Sequence, residues 1–402
     1  MERLISALGL VVFIGLAYAF SVNRRAVRWS TVLWGVALQL IFALLIIRTV
    51  PGFVVFQFLG DVATQFLNFS DAGAKFVFGD NFEEHFFAFK ILPTIIFFSA
   101  FISLLYHYGI LQQAVRGVAW VMLKTMKISG AESLSCASNI FLGQTESPLL
   151  IKPYVGTMTR SELHSVMAAG FGTIAGGVLA AYLSFGVPAS HLIAATVMTA
   201  PASMAIAKLL YPETEEAVTA GNMDVQMKTD YSNALDAIAN GANDGMKLAL
   251  NIAAMLIAFL ALLAFVNALL GWVGGLVGLP QLSLEWLFSL VLAPVAWLMG
   301  VPWADCGKVA ILLGKKTVLN EFIAYLDLKE LIEKKEISER AAVISTYALC
   351  GFANIASIGI QIGGIGGIAP ERQKDLAQLG VRAMIAGSLA NFMTACTAGL
   401  LL

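Results

Sequence analysis

Apolar residues run along most of the chain in long blocks, and the blocks have the length a bilayer asks for. Spanning takes about 20 apolar residues. Segments of that kind stand at 4–20, 31–47, 91–106, 192–210 and 248–270. Two more, 166–185 and 342–365, are long enough but punctuated by Gly, Thr, Asn and Ser. The last, 376–402, carries Arg382 near its start. The pattern predicts eight membrane-spanning helices. Between the second and third, Val55, Leu59, Val62 and Phe66 recur at helical spacing, with Gln57, Asp61, Gln65 and Asn68 off the stripe. This predicts an amphipathic helix lying along the interface or packed on a partner subunit. The polar stretches 212–230 and 327–340 predict a solvated loop and a charged surface helix or linker.

Two further segments are hydrophobic but too short and too broken to span. Residues 131–157 run helix-like into Gly143-Gln144-Thr145-Glu146-Ser147-Pro148 and then turn apolar again. Residues 285–325 do the same around Gly300-Val301-Pro302-Trp303, with a following helix that ends in Asn320-Glu321-Phe322. Each predicts a re-entrant hairpin, because non-helical backbone at membrane depth must be buried in protein or line a wet cavity. After the first hairpin, Ser161-Glu162 opens a helix reaching Gly170-Phe171-Gly172-Thr173-Ile174-Ala175. After the second, Ser338-Glu339 opens one reaching Gly351-Phe352-Ala353-Asn354-Ile355-Ala356. Hairpin, broken helix and closing helix therefore occur twice, the layout of an internally repeated transporter with its site at the midplane. The predicted fold class is an all-α polytopic membrane protein with eight spans, two re-entrant hairpins and an internal inverted repeat. Its divisions fall at 1–130 (three spans and the interfacial helix, part of a scaffold), 131–211 (first repeat), 212–280 (polar loop and a scaffold span) and 281–402 (second repeat).

Composition supports the bilayer. The 402 residues are 58% hydrophobic and 13% charged, with 36 glycines and 14 methionines, whereas soluble domains run about 25% charged. A formal charge of −1 gives no reason to expect a nucleic-acid partner. Cys136, Cys306, Cys350 and Cys396 are scattered with no CxxC pair and read as small buried hydrophobes. The first apolar block ends in an A-x-A-like Ala17-Tyr18-Ala19, but its positive cluster, Arg24, Arg25 and Arg28, follows rather than leads. That order favours a retained first span with its N-terminus outside. No HExxH, GxSxG or Walker loop is present, and His85, His107, His164 and His191 lie far apart, so nothing supports an enzyme.

The polar residues inside the apolar segments are Asn139, Gln144, Thr145, Glu146, Thr173, Asn320, Glu321, Asn354 and Ser357. Amides, hydroxyls and two carboxylates without a cluster of cations suit a neutral polyhydroxylated solute better than an anion. The hard oxygens of Asn139 and Thr173, with carbonyls freed at the helix breaks, suit a small cation such as Na+. The competing readings are ion pairs of Glu146 with Lys152 and of Glu321 with Lys316, interhelical glue for Asn139 and Thr173, and plain packing for Phe171 and Phe352.

At these residues the sequence resembles the concentrative nucleoside transporters, close to the bacterial sodium-coupled members. The motifs are Gly143-Gln144-Thr145-Glu146, Thr173-Ile174-Ala175-Gly176-Gly177-Val178, Asn320-Glu321-Phe322 and Phe352-Ala353-Asn354-Ile355-Ala356-Ser357, and the likeness covers essentially the whole chain. The resemblance implies a homotrimer in a bacterial inner membrane, with elevator-type import of purine and pyrimidine nucleosides such as uridine and adenosine. It implies that Gln144, Thr145 and Glu146, beside Gly143 and Val178, address the nucleobase. Glu321, Asn354 and Ser357, beside Phe352, would address the ribose, and Na+ would lie on Asn139 and Thr173 with backbone carbonyls at or near Asn139, Leu142, Thr173 and Ile174. The family's bacterial sodium site commonly has serine where this chain has Thr173. The hydroxyl is kept and a methyl is added. A proton-coupled symporter and an ion channel with re-entrant filter loops are the alternatives.

Overall fold

The computed structural model describes residues 1–83, 86–185, 187–221 and 231–402. His85 and the end of the polar loop at 222–230 lie outside the described residues. Regular structure among the described residues is helical, apart from one isolated bridge between Ser129 and Ala220. The chain opens with α1 (Glu2–Ala19), α2 (Trp29–Ala43), α3 (Val50–Leu67), α4 (Ser70–Phe78), α5 (Leu92–His107) and α6 (Ile110–Met126). There follow α7 (Gly130–Ser138), α8 (Lys152–Val155), α9 (Arg160–Gly172), α10 (Gly176–Ser184) and α11 (Ala189–Leu210). The second half holds α12 (Ala234–Leu276), α13 (Leu284–Val291), α14 (Ala293–Leu298), α15 (Trp303–Val318), α16 (Glu321–Glu333), α17 (Glu339–Leu349), α18 (Ile355–Ile368) and α19 (Gln373–Leu401).

Polar side chains start these helices where the sequence places them. Ser129 caps α7, Asn320 caps α16, Ser338 caps α17 and Asn354 caps α18, each accepting a backbone N–H from the first turn. Thr159 and Glu162 form a reciprocal capping box on α9. Each such cap stabilises its helix by about 1 kcal/mol.

Among the described residues, eight helical runs are long and apolar enough to cross a membrane. Seven coincide with expected spans. The eighth is Val50–Phe78, the region read as an interfacial helix. The expected broken helix at 342–365 is present as two half-helices, α17 and α18. In α3 the Val55, Leu59 and Val62 stripe is exposed. The packed face runs through Gly60, where an added Cβ would lie 2.8 Å from the Ala189 Cβ of α11.

Two packing regimes divide the molecule. In the most apolar 18-residue stretch of Arg160–Ser184 and of Ala189–Leu210, 83% and 89% of residues are buried, against 17% in that of Ala88–His107 and 18% in that of Ala234–Leu276. The buried helices α9, α11, α17 and α19 pack on one another. The exposed α5 and α12 pack mainly together, through small residues. A Cβ on Gly241 would sit 2.5 Å from Ser103 Oγ, and one on Gly245 2.7 Å from Ile96 Cα. Close backbone approach of this kind is how helices associate where lipid removes the hydrophobic drive. The two regimes meet at α10, where a Cβ on Gly177 would lie 3.3 Å from Ser99 Oγ of α5 and 3.3 Å from Leu248 of α12.

The first hairpin is α7, the turn holding Gly143–Glu146, and α8. The second departs from expectation. The chain folds back twice there: around Gly300, where α15 returns along α13 and α14, with Lys315 3.7 Å from Glu285 and an added Cβ on Gly314 2.1 Å from Phe288, and again at Leu319-Asn320, where α16 returns along α15 with the Lys315–Asp327 ion pair at 2.8 Å. Gly300, at φ +87°, turns the chain from α14 into α15. Gly300 and Pro302 mark the first of these turns, as the sequence predicts, and the Asn320 cap marks the second. The loop beginning at Pro212 is also less free than expected: Thr219 accepts Gly130 N through its carbonyl at 3.0 Å and Ala131 N through its hydroxyl at 3.1 Å. Lys208 pairs with both Glu132 and Glu213, which ties the hairpin base to α11. All four cysteines are free and buried.

Candidate substrate and ion site at the helix breaks

Four interruptions face one another. The α9 helix stops at Gly172 and resumes as α10, and α17 stops at Leu349 and resumes as α18. The tips of the two hairpins supply the Gln144 loop and the Asn320-Glu321 turn. Interrupted helices leave N–H groups free at one end and carbonyls at the other, so polar side chains can bind here at low cost.

The polar side chains make one connected chain of hydrogen bonds. The Glu321 carboxylate accepts from Tyr182 OH at 2.8 Å on Oε1 and from Asn354 Nδ2 at 3.1 Å on Oε2. Asn354 Oδ1 accepts Ser357 N at 2.8 Å, and Ser357 Oγ accepts Gln144 Nε2 at 3.2 Å. Gln144 Oε1 accepts Gln361 Nε2 at 2.9 Å, and the same nitrogen donates to Met167 O at 3.1 Å. Gln144, Glu321, Asn354 and Ser357, drawn from a hairpin tip, a second hairpin and a broken helix, thus converge although they are scattered in sequence. All four are buried. Gly170 permits the approach, since a Cβ there would stand 2.9 Å from both Gln144 Cβ and Gln361 Nε2.

The remaining expected contacts surround this core. Glu146 is exposed and its carboxylate folds back over Gly143, where an added Cβ would meet Oε2 at 2.1 Å. Thr145 packs on Gly364 of α18. Val178 is buried and Phe352 half-buried. None of these four enters the hydrogen-bonded chain.

Asn139, Thr173 and Ile174 are each 1% exposed, and Leu142 is partly buried. Gly176 N donates to Phe141 O at 3.2 Å, which joins the first hairpin to the start of α10. Asn139 Nδ2 donates to Ser135 O at 3.0 Å, and Thr173 Oγ1 to Ala169 O at 2.9 Å. Both bonds lie within the residue's own helix, so neither side chain is interhelical glue. Asn139 Oδ1 is buried and has no partner. A buried acceptor left unsatisfied costs about 1–3 kcal/mol, and a hard cation is the partner an amide oxygen and a hydroxyl suit.

Three family models cover the chain. Residues 8–81 match the Na+ dependent nucleoside transporter N-terminus, 88–189 match "Nucleoside recognition", and 191–399 match the Na+ dependent nucleoside transporter C-terminus. The chain belongs to this family. Among curated relatives of these Na+-dependent nucleoside transporters, Solute carrier family 28 member 3 of Homo sapiens is 50% identical over the whole chain. Sodium/nucleoside cotransporter 1 of Rattus norvegicus is 49% identical. The chain spans about 60% of the length of these relatives (60% and 64%). Among solved structures, CNTnw in an inward-facing substrate-bound state superposes with a TM-score of 0.94 at 38% identity, covering 100% of this chain and 98% of that one. A doubly substituted CNTnw in an outward-facing state gives 0.95 at 37%, with the same coverage. The family is one of transporters, and no cluster of His, Cys, Asp or Glu able to hold a metal occurs among the described residues.

Two residues of this site, and two that lie behind it, were not singled out from sequence as functional. Tyr182 and Gln361 complete the hydrogen-bonded chain, and each is a polar residue in an apolar helix, which was a legible signal. Lys316 does not pair with Glu321. Its ammonium donates to Ala348 O at 2.8 Å and Asn391 Oδ1 at 2.7 Å. Asn391 itself, on α19, gave no motif.

Proposed function

We propose that the chain is a Na+-coupled symporter that imports nucleosides, purine and pyrimidine alike, with uridine and adenosine as representative cargo. The observation that carries this is the hydrogen-bonded chain from Glu321 through Asn354 and Ser357 to Gln144, set beside the orphaned Asn139 oxygen. A carboxylate with two oxygens can accept two neighbouring sugar hydroxyls, and an amide can match the paired donor and acceptor of a base edge. In this reading Glu321, Asn354 and Ser357, with Phe352 beside them, take the ribose. Gln144, Thr145 and Glu146, with Gly143 and Val178, take the base. Cargo replaces bonds that the residues otherwise make with one another, so little polarity is left unpaired in either condition.

Na+ would be held by Asn139 and Thr173 with carbonyls around Leu142 and Ile174. Neither side chain titrates near neutral pH, which favours Na+ over a proton as driver. Ion binding would fix the first hairpin against α10, where Gly176 N already meets Phe141 O, and so present Gln144. Affinities of ion and cargo then rise together.

The contrast between the buried group and the exposed α5 and α12 suits an elevator, in which the hairpins, α9–α11 and α17–α19 slide as a body on a scaffold. The exposed apolar scaffold faces suit lipid and a homotrimer, and a bacterial inner membrane is the setting the resemblance implies. Uptake of labelled uridine and adenosine into proteoliposomes tests the reading. Accumulation is expected with a Na+ gradient and not with K+. Accumulation driven equally by a pH gradient without Na+ would overturn the coupling, and a cargo-independent current would favour a channel.

A further inference from the structure

The two helix breaks are held to each other by a residue that belongs to neither. Asn391 is fully buried on α19. Its Nδ2 donates to Gly172 O at 2.7 Å and to Cys350 O at 2.7 Å, and its Oδ1 accepts from Lys316 Nζ at 2.7 Å. Lys316 also donates to Ala348 O at 2.8 Å. Gly172 precedes Thr173, and Cys350 precedes the Gly351-Phe352-Ala353-Asn354 turn. One amide group therefore grips the last carbonyl before each break.

Lys316 fixes which way that amide faces. An ammonium only donates, so Oδ1 must point to it and both N–H bonds must point to the carbonyls. The ammonium also lies at the carbonyl end of α17, where the helix dipole favours a cation. The surroundings leave no slack. A Cβ on Gly351 would stand 2.4 Å from Asn391 Oδ1 and 2.8 Å from both Phe171 O and Gly172 O, and one on Gly387 would stand 2.5 Å from Phe171 Cβ. Phe352 N adds a direct bond to Thr173 O at 3.1 Å. The two N–H bonds of one planar amide have a fixed angle between them. Displacement of the Gly172 carbonyl must therefore be followed by the Cys350 carbonyl or break a bond.

We propose that Asn391, oriented by Lys316, is a positioning residue that transmits ion binding at the first break to cargo binding at the second. It touches neither ligand. With Na+ drawing Thr173 and Ile174 into place, Asn391 sets Cys350, and through it the turn that presents Phe352 and Asn354 to the ribose. This rests on the Na+ and ribose assignments made above. A residue that merely filled space would affect stability without altering how much Na+ improves cargo affinity.

The readout is the coupling factor, the ratio of uridine Kd without Na+ (choline replacing it) to Kd at saturating Na+, measured by calorimetry on purified protein. Asn391→Ala and Asn391→Ser are expected to lower that ratio by about fivefold or more, the lower end of ordinary coupling factors, while Na+-free affinity stays near wild type. Lys316→Met, which frees the amide to rotate, is expected to lower it less. A wild-type ratio in folded variants overturns the inference, as does an equal loss of affinity with and without Na+. A ratio of one in the wild type overturns the Na+ reading and this inference with it, which distinguishes the two failures. Hydrogen exchange on the wild type needs no variant to fold. Na+ alone is expected to slow exchange at 351–357, and protection confined to 139–146 and 173–176 overturns the coupling.

Discussion

Among single residues, burial and pairing rank the candidates. Glu321 is buried and holds two donors, so Glu321→Ala strips both and removes the proposed acceptor for the sugar. Uridine binding is expected to vanish at every Na+ concentration, as calorimetry can check. Tyr182→Phe removes one charge-assisted donor of about 1.5–3 kcal/mol. It is expected to weaken uridine by about 10–100-fold while leaving the Na+ dependence of binding in place. Asn139→Ala should do the reverse: wild-type uridine affinity is approached only at much higher Na+, and a titration of Kd against Na+ separates the two variants. Sequence alone singled out Asn139, Gln144, Glu321, Asn354 and Ser357, because a polar residue in a long apolar run needs a reason to be there. It did not show that Lys316 serves two carbonyls rather than Glu321, since partner choice is set by distances between helices remote in the chain.

At the level of helices, breaks and caps decide the geometry. The shared Gly-Phe-x-[Thr/Asn]-Ile-Ala frame is used differently in the two halves. Thr173 ends α9 in extended backbone with its hydroxyl turned to Ala169 O, whereas Asn354 starts α18 as its cap. Equal motifs therefore do not give equal roles; the helix each residue abuts does. The close approach of α9, α17 and α19 depends on Gly351 and Gly387, whose neighbours at 2.4–2.9 Å include backbone that cannot yield. Gly387→Ala is expected to cost about 1–3 kcal/mol by overpacking, seen as a lower melting temperature in detergent. Gly15→Ala, where nothing lies within 4 Å, should leave it unchanged. The sequence showed both interruptions and the fold-back at Gly300, but not that the chain folds back again at Asn320, because a polar cap without a Gly or Pro gives a weaker breaking signal.

For the whole molecule, the separation into a buried and an exposed set of helices makes a mechanical prediction. Ser99 on α5 faces Gly177 on α10. Oxidising the pair Ser99→Cys and Gly177→Cys is expected to arrest uptake while uridine binding persists, since a cross-link there forbids sliding without blocking the hairpins. Full uptake by the cross-linked protein would exclude movement at this surface. In the proposed symport each Na+ carried with a neutral nucleoside also moves charge, worth about 2.3 kcal/mol per 100 mV. An inside-negative potential is therefore expected to raise accumulation by about fiftyfold per 100 mV for each ion, measurable with a K+ diffusion potential.

The sequence by itself determined the bilayer as solvent, the helical class and which polar residues interrupt the apolar segments. These follow from local rules of hydropathy, helix length and the cost of burying a polar group, each read within a short window of chain. Tertiary structure alone decided which polar groups meet: Tyr182 with Glu321, Gln361 with Gln144, and Asn391 with the last carbonyls of two helices. Hydrogen bonding acts over about 3 Å, and residues far apart in the chain reach that range only after the helices between them have packed.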